Sequence, residues 1–266
     1  MSFTDKVIVI TGASDGIGAE LARQLSADKP RLVLAARRRD ALEAVARQCD
    51  AAGAETLCVV TDVSVEADCR MLIDATVKKF GCIDALVNNA GVSMHANFEQ
   101  ITDTTVYERL MRINLMGSVW PTHAALPYLK ASRGLVVAVA SLAGLVGVPG
   151  RTTYCATKFA QTGFFEALRV ELQPEGVDVT IVYPGVVATE IRRNGWNADG
   201  EKAGSSGLSE EKAMSVEECA GLIVSAMRSR KREQVMSFRG KLGRWMKLIA
   251  PAKVDAMARA ALAKGR

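Results

Sequence analysis

The chain has 266 residues, 49% hydrophobic and 24% charged, the composition of a globular protein with a sizeable core. No apolar run reaches the length of a transmembrane helix, and six scattered Cys with no CxxC pair and two distant His argue against a zinc site or any other metal centre. The net charge of +5 is uneven: residues 228–266 hold twelve Lys or Arg and two acids, so the rest of the chain is net negative.

Lys6 to Thr11 is a short β-branched run suited to a buried parallel strand. It runs into Gly12-Ala-Ser-Asp-Gly16-Ile-Gly18, and then Ala19, Leu21, Ala22 and Leu25 recur at helical spacing. Strand, glycine loop and helix together make a pyrophosphate cradle, because glycines admit close backbone approach and the helix start supplies N–H donors. Arg31 to Ala36 is a second strand that ends on Arg37-Arg38-Arg39. An acid at this strand end suits a ribose 2′-hydroxyl, whereas an Arg suits a 2′-phosphate, so Arg37 favours NADP(H) over NAD(H). Residues 56–60 and 83–87 form the third and fourth strands, ending at Asp62-Val63 and at Asn88-Asn89-Ala90-Gly91. A helix is expected from about Thr104 to Lys130, with interruptions near Pro121 and Pro127 and with Asn114, a poor helix former, in its middle. Residues 135–140 and 177–183 are strands five and six, Met214 to Arg230 is a helix, and 234–238 is a last strand. The alternation of strands and helices indicates α/β architecture, a parallel sheet covered on both faces. The stretch from Glu190 to Ser215, rich in Gly, Ser and charge, reads as a lid or substrate loop.

Tyr154 and Lys158 lie one helical turn apart on the same side, with Ser141 thirteen positions upstream at a strand end. A phenol near pKa 10 is a poor proton donor or acceptor at neutral pH, but a nearby ammonium favours its phenolate. A hydroxyl beside it could hold a carbonyl oxygen, and the trio could pass a proton to or from a ketone or alcohol. His95 and His123 read as an exposed loop residue and a structural helix residue, and Cys155 as a packing thiol turned about 100° from Tyr154. Trp196 and Met214 either touch an apolar substrate or pack within the loop.

With these residues in order, the sequence resembles the short-chain dehydrogenase/reductase family, and in particular its hydroxysteroid-dehydrogenase-like branch. The matching motifs are Thr11-Gly12…Gly16-Ile17-Gly18, Asn88 to Gly91, Asn114, Ser141 with Tyr154 and Lys158, and Pro184-Gly185…Thr189. The resemblance covers about residues 5–240. It implies a single-domain Rossmann fold over residues 1–238, a doubly wound parallel sheet of about seven strands, and a homodimer or homotetramer. It implies that Gly12, Ser14, Gly16, Ile17 and Gly18 line the pyrophosphate and ribose, and that Arg37 and Arg38 clamp the 2′-phosphate. Asp62 and Val63 would flank the adenine, Asn88, Ala90 and Gly91 would support the cofactor floor, and Pro184, Gly185, Val187 and Thr189 would hold the carboxamide and diphosphate side. Tyr154 would be the acid/base and Ser141 would orient the substrate oxygen. Lys158 would bond the nicotinamide ribose and depress the pKa of Tyr154, and Asn114 would anchor a water linking Lys158 to solvent. One departure is Asp15, where many NADP-preferring members carry a basic residue, so cofactor choice rests mainly on Arg37.

The expected activity is an NADP(H)-dependent interconversion of a secondary alcohol and a ketone on an apolar or lipid-like small molecule. The alternatives are a 3-oxoacyl-thioester reductase and a non-catalytic NADP(H) sensor. Residues 239–266 form a basic amphipathic C-terminal extension, with Leu242, Trp245, Met246 and Ile249 on one face; they suit either an anionic membrane surface or a subunit contact. No nucleic-acid recognition motif accompanies the charge. The short stretch before the first strand and the scattered thiols suggest a cytoplasmic protein whose membrane contact, if any, is peripheral.

Overall fold

The computed structural model describes residues 2–204 and 213–263. Residues 205–212 of the expected substrate loop and 264–266 of the extension therefore lie outside the described residues.

β1 (Val7–Thr11) is buried along its whole length, as its β-branched run requires. It leads through the glycine loop into α1 (Gly16–Leu25), which Asp15 caps by accepting from Gly16 N at 2.7 Å. β2 (Arg31–Ala36) and α2 (Arg39–Ala51) follow, then β3 (Glu55–Val60), α3 (Glu66–Phe80) and β4 (Ala85–Asn88). α3 stops at Gly81, whose left-handed backbone (φ 78°) ends the helix without a Cβ penalty. The second half contains α4 (Thr105–Met111), α5 (Gly117–Ser132), β5 (Leu135–Val139), α6 (Thr152–Leu172), β6 (Asp178–Tyr183), α7 (Val216–Arg228) and β7 (Glu233–Val235). The seven strands are all parallel in the order β3-β2-β1-β4-β5-β6-β7.

Alternation along the strands divides the core between two faces. Ile8, Ile10, Leu32, Leu34, Val87 and Val137 pack with α1, α2 and α7 through Leu21, Leu42 and Ile223. Val7, Val9, Val33, Leu86 and Val136 pack on the other side with Leu72, Ala125 and Phe165 of α3, α5 and α6. Each such fully buried Val, Leu or Ile contributes about 1.5–3 kcal/mol relative to exposure. The strand order reverses between β1 and β4, which opens a crevice at their carboxyl ends.

Two expectations need correction. The helix around Asn114 is not interrupted at Pro121 or Pro127, both of which lie inside α5. The distortion comes earlier, at Arg112–Met116, a π-helical turn in which the Gly117 N–H reaches back to Arg112 O. Two side-chain hydrogen bonds accompany it, one local and one from α6: the Asn114 carbonyl accepts from the Ser118 hydroxyl (3.1 Å) and from Gln161 Nε2 (3.2 Å). These side-chain donors serve a carbonyl that a widened turn leaves poorly matched to the backbone ladder. The last strand ends at Val235, three residues short of the expected 238, because Ser237 accepts from Gly240 N and caps a new helix.

That helix, α8 (Phe238–Ile249), is followed by α9 (Pro251–Ala263). α8 presents its apolar side outward: Trp245 is 65% and Ile249 84% exposed, with Phe238, Leu242 and Leu248 also exposed and Met246 half-buried. Two basic residues reach back to the body. Arg244 pairs with Glu233 on β7, and Lys247 donates to Leu145 O (3.1 Å) over the Phe159 ring. No helix among the described residues is long and apolar enough to cross a membrane.

Candidate active site

The crevice at the carboxyl ends of β1 and β4 holds a cleft of about 340 Å³. Gly12 and Gly16 both have left-handed backbones (φ 67° and 53°), and a Cβ on Gly12 would lie 2.9 Å from the Ala90 backbone. A Cβ on Gly18 would strike the Gly12 carbonyl and the Asn89 amide. Thr11 Oγ1 accepts from Asn89 N and Ala90 N (3.0 and 3.1 Å), and Asn89 Nδ2 donates to the carbonyls of Thr11 and Gly12. The loop after β4 is thus bolted to the glycine loop, and the chain is tight wherever a dinucleotide would need close backbone approach. These features fit a bound dinucleotide.

Gly12, Ser14, Gly16, Ile17, Arg37, Arg38, Asp62, Val63, Ala90, Gly91 and Thr189 all border the cleft. Asn88 does not. Its side chain is wholly buried and donates to Thr122 Oγ1 at 2.9 Å, tying β4 to α5, while the next residue, Asn89, faces the cleft. Gly18 sits behind the loop as a packing position. Pro184, Gly185 and Val187 stand back from the cleft: Pro184 O receives Leu142 N, Gly185 lies against Leu142, and buried Val187 receives Arg192 Nη2 and Thr189 N on its carbonyl. The rim explains the acid at position 15. Asp15 caps α1 and pairs with Arg38 at 3.6 Å, so those two charges offset one another. Arg37 lines the rim with no ion-pair partner among the described residues, and its guanidinium is available for an anion. Asp62 is occupied with the following turn, its Oδ1 accepting from Ser64 N and Oγ.

Beyond the cleft, the end of β5, the π-helical turn before α5, and α6 bring Ser141, Asn114, Tyr154 and Lys158 together. Ser141 follows β5 and accepts from Ala143 N. Tyr154 is 8% exposed, and burial pushes its pKa up; the Ser141 hydrogen bond, Arg151 and Arg192 act in the opposite direction. Lys158 is 3% exposed; its Nζ donates to Val139 O (2.9 Å) and Gln161 Oε1 (3.0 Å), and burial pushes its pKa down to about 7. The ammonium lies 5.8 Å from the Tyr154 ring centroid. The Asn114 side chain is taken up by the Val92 backbone (2.8 and 3.0 Å) and by Thr157 Oγ1 (3.0 Å). Its connection to Lys158 runs through Gln161, whose amide joins Lys158 Nζ at one end to the Asn114 carbonyl and Ser118 Oγ at the other.

Met94, Ala96, Val106, Leu110 and Ala143 form an apolar cluster with Tyr154, and Trp196 packs against it. Trp196 is docked by backbone bonds to Ser93 and His95, and the Arg109 guanidinium lies 4.5 Å from its ring centroid. Met214 instead packs on the main core. His95 lies against Gly150, near the start of α6, and His123 is exposed on α5. The Cys155 thiol accepts from Val148 N, and burial raises its pKa, which suits packing more than nucleophilic attack. Among the described residues no group of three His, Cys, Asp or Glu is placed to hold a metal ion. Sequence reading missed Gln161 and Arg151. Gln161 had a signal in its spacing, one turn beyond Lys158 on the same helix face.

Comparison with known proteins follows the same outline. The family profile described as short chain dehydrogenase matches residues 6–199. The "11-beta-hydroxysteroid dehydrogenase-like 4A" of Arabidopsis thaliana is 44% identical over 183 residues, 68% of this chain and 61% of that protein. The "11-beta-hydroxysteroid dehydrogenase A" of Sesamum indicum is 41% identical over 198 residues, 74% of this chain and 57% of that one. The chain thus matches about three fifths of the length of these relatives. Among solved structures, an alcohol dehydrogenase from the archaeon Thermococcus sibiricus, complexed with 5-hydroxy-NADP, superposes with a TM-score of 0.76 at 26% identity, covering 87% of this chain and 95% of that one.

Proposed function

Because the chain belongs to the short chain dehydrogenase family, we propose that it is an NADP(H)-dependent oxidoreductase that interconverts a secondary alcohol and a ketone on an apolar, lipid-like substrate. The observation that carries this reading is the convergence of Ser141, Tyr154 and buried Lys158 beside a glycine-lined cleft. When bound, a nicotinamide supplies or accepts the hydride. The chain's own residues handle the oxygen. Ser141 holds the carbonyl oxygen, Tyr154 gives it a proton in the reductive direction and recovers one in the oxidative direction, and Lys158 stabilises the phenolate. Gly12, Gly16 and the α1 N-terminus would hold the diphosphate, and Lys158 the nicotinamide ribose. Arg37, at the rim with no ion-pair partner among the described residues, supports a 2′-phosphate and hence NADP(H).

The apolar cluster against Tyr154 supports the substrate class, as do the steroid-dehydrogenase names of the relatives. The free thiols among the described residues support a reducing compartment such as the cytoplasm, the family supports a homo-oligomer, and the outward face of α8 supports contact with a membrane. The deciding experiment follows the absorbance of the reduced nicotinamide against a steroid ketone, an aromatic diketone, a medium-chain ketone and an acetoacetyl thioester, with Tyr154→Phe as the blank. Turnover of the apolar ketones above the blank is expected. Turnover of the thioester alone would replace the reading with an acyl-thioester reductase, and silence on all four with NADPH still bound would favour a sensor.

A further inference from the structure

Arg151 is a buried cation that helix α6 does not call for. It stands at the N-cap of α6, makes no capping hydrogen bond, and puts a positive charge where the helix dipole favours a negative one. It is 7% exposed, yet among the described residues only Nη1 has a partner, Ser93 Oγ at 3.2 Å, and the buried Nε and Nη2 have none. A guanidinium in such a place is costly without a counter-charge. The groups acting on it electrostatically are Tyr154, Arg192 and Cys155, and no carboxylate is among them. Arg192, from the segment after β6, is itself a cation, and the Cys155 thiol is kept neutral by burial. That leaves Tyr154, whose ring centroid lies 6.0 Å from the Arg151 guanidinium carbon.

We infer that Arg151 is the permanent counter-charge of the Tyr154 phenolate, a positioning residue that acts with Lys158 from a second direction. The ring is approached by two cations, Lys158 at 5.8 Å and Arg151 at 6.0 Å. They are not equivalent. The Lys158 charge fades as pH rises through about 7, whereas the Arg151 guanidinium, although burial lowers its pKa, starts from a far higher value and outlasts the lysine into the alkaline range. Arg151 therefore keeps the phenolate accessible at the alkaline pH values where alcohol oxidation needs a base. Two further groups act on Tyr154: Arg192, from the segment after β6, which also favours the phenolate, and Cys155, which opposes it. His95, which abuts Gly150 on the segment after β4, and Tyr107, on α4 in the same apolar cluster, are not among the groups acting on Tyr154.

The inference rests on the reading of Tyr154 as the acid/base, but its test does not need turnover. The ionisation of Tyr154 is read as the tyrosinate absorbance difference between each protein and its Tyr154→Phe counterpart, with and without NADP. Arg151→Leu is expected to raise the Tyr154 midpoint by about one unit or more. Arg151→Lys, which keeps the charge, is expected to recover most of that shift and to serve if the Leu variant folds poorly. The basic limb of kcat in the oxidative direction should move in parallel. A Leu variant whose titration superposes on the parent would overturn the inference, as would a Lys variant shifted as far as the Leu variant. An unchanged titration with a raised KM confined to carboxylate-bearing substrates would also overturn it and make Arg151 a substrate anchor. A parent protein that binds NADP but turns nothing over would count against the proposed function while leaving the titration to decide on Arg151.

Discussion

Gln161 accepts a hydrogen bond from Lys158 Nζ at 3.0 Å while wholly buried, so the state of the lysine is coupled to a neutral amide rather than to a carboxylate. The other end of that amide serves the Asn114 carbonyl and Ser118 Oγ. Replacing it with Leu removes three hydrogen bonds in a buried site and should cost about 1–3 kcal/mol of stability, measurable by urea unfolding. Gln161→Glu should do something different. A carboxylate beside Lys158 favours the ammonium, so the lysine midpoint should rise above about 7, as read by side-chain NMR of Nζ. An unmoved midpoint would mean that Gln161 packs without tuning.

Tyr154→Phe keeps the ring in its apolar cluster and removes only the hydroxyl. Turnover should fall by about 10²–10⁴-fold with NADPH affinity nearly unchanged. Fluorescence titration of NADPH and the ketone panel give the two numbers. Residual turnover within tenfold of the parent would take Tyr154 out of the proton transfer.

Lys158 makes a stability prediction with a definite sign. Its folded-state pKa, near 7, lies below the ordinary 10.5, so between those values the unfolded chain binds the extra proton. The lysine therefore destabilises the cofactor-free fold at acidic pH, and that penalty is relieved as pH rises from about 7 towards 10.5. Lys158→Met should be more stable than the parent at pH values below the folded midpoint, with the advantage shrinking through the alkaline range. Paired unfolding curves at the two ends of that range would show it, and a pH-independent gap would contradict a depressed lysine.

Arg37→Ala should weaken NADPH by about tenfold or more and NADH little, since a guanidinium bonded to a phosphate contributes about 1.5–3 kcal/mol. Binding titrations with the two cofactors decide the matter. Equal losses would remove Arg37 from the 2′-phosphate site. Arg38→Ala should matter less, because Arg38 already faces Asp15.

For the C-terminal extension we expect an anionic lipid surface as the partner. Phe238, Trp245, Leu248 and Ile249 point away from the body, and Lys241 and Lys253 are exposed alongside them. The full chain should co-sediment with vesicles containing phosphatidylserine at low salt and release as salt rises. Trp245→Glu combined with Ile249→Glu should abolish this while leaving turnover intact. A parent protein that ignores the vesicles but loses self-association in the double variant, by analytical ultracentrifugation, would assign the face to a second copy.

What could be read from the sequence, and what could not, divides along physical lines. The strands and the glycine loop were legible because the residue types themselves meet the requirement: β-branched runs fill a two-sided core, and Gly12 and Gly16 sit where φ is positive. The Asn88 position slipped by one residue because alternate side chains at a strand end face opposite ways, so Asn88 went to the core and Asn89 to the cleft. The widened turn at Arg112–Met116 left no mark in composition, since groups that bond to it come from α6 and the loop after β4. The amphipathic pattern of α8 was plain, but periodicity carries no sign; the exposed Trp245 and Ile249, with Arg244 tied to Glu233 and Lys247 to Leu145, reveal that the apolar face points out. Arg151 escaped notice because it is a single polar residue whose significance comes wholly from what surrounds it, whereas Gln161 offered only its one-turn spacing from Lys158.

The widened turn between α4 and α5 is also a place where the chain can lose a residue and keep its phase. A turn closed from Gly117 N to Arg112 O holds one residue more than an α-helical turn, so removing one residue from Arg112–Met116 lets the ladder close at ordinary spacing with α5 still aligned on α4. Ala125 and Leu129 would stay beneath the sheet, and Thr122 would still reach Asn88. The loss would be local, at the Asn114 carbonyl that Ser118 and Gln161 now serve. In a gene library scanned for single-codon losses, this five-residue stretch should lose turnover before it loses the fold.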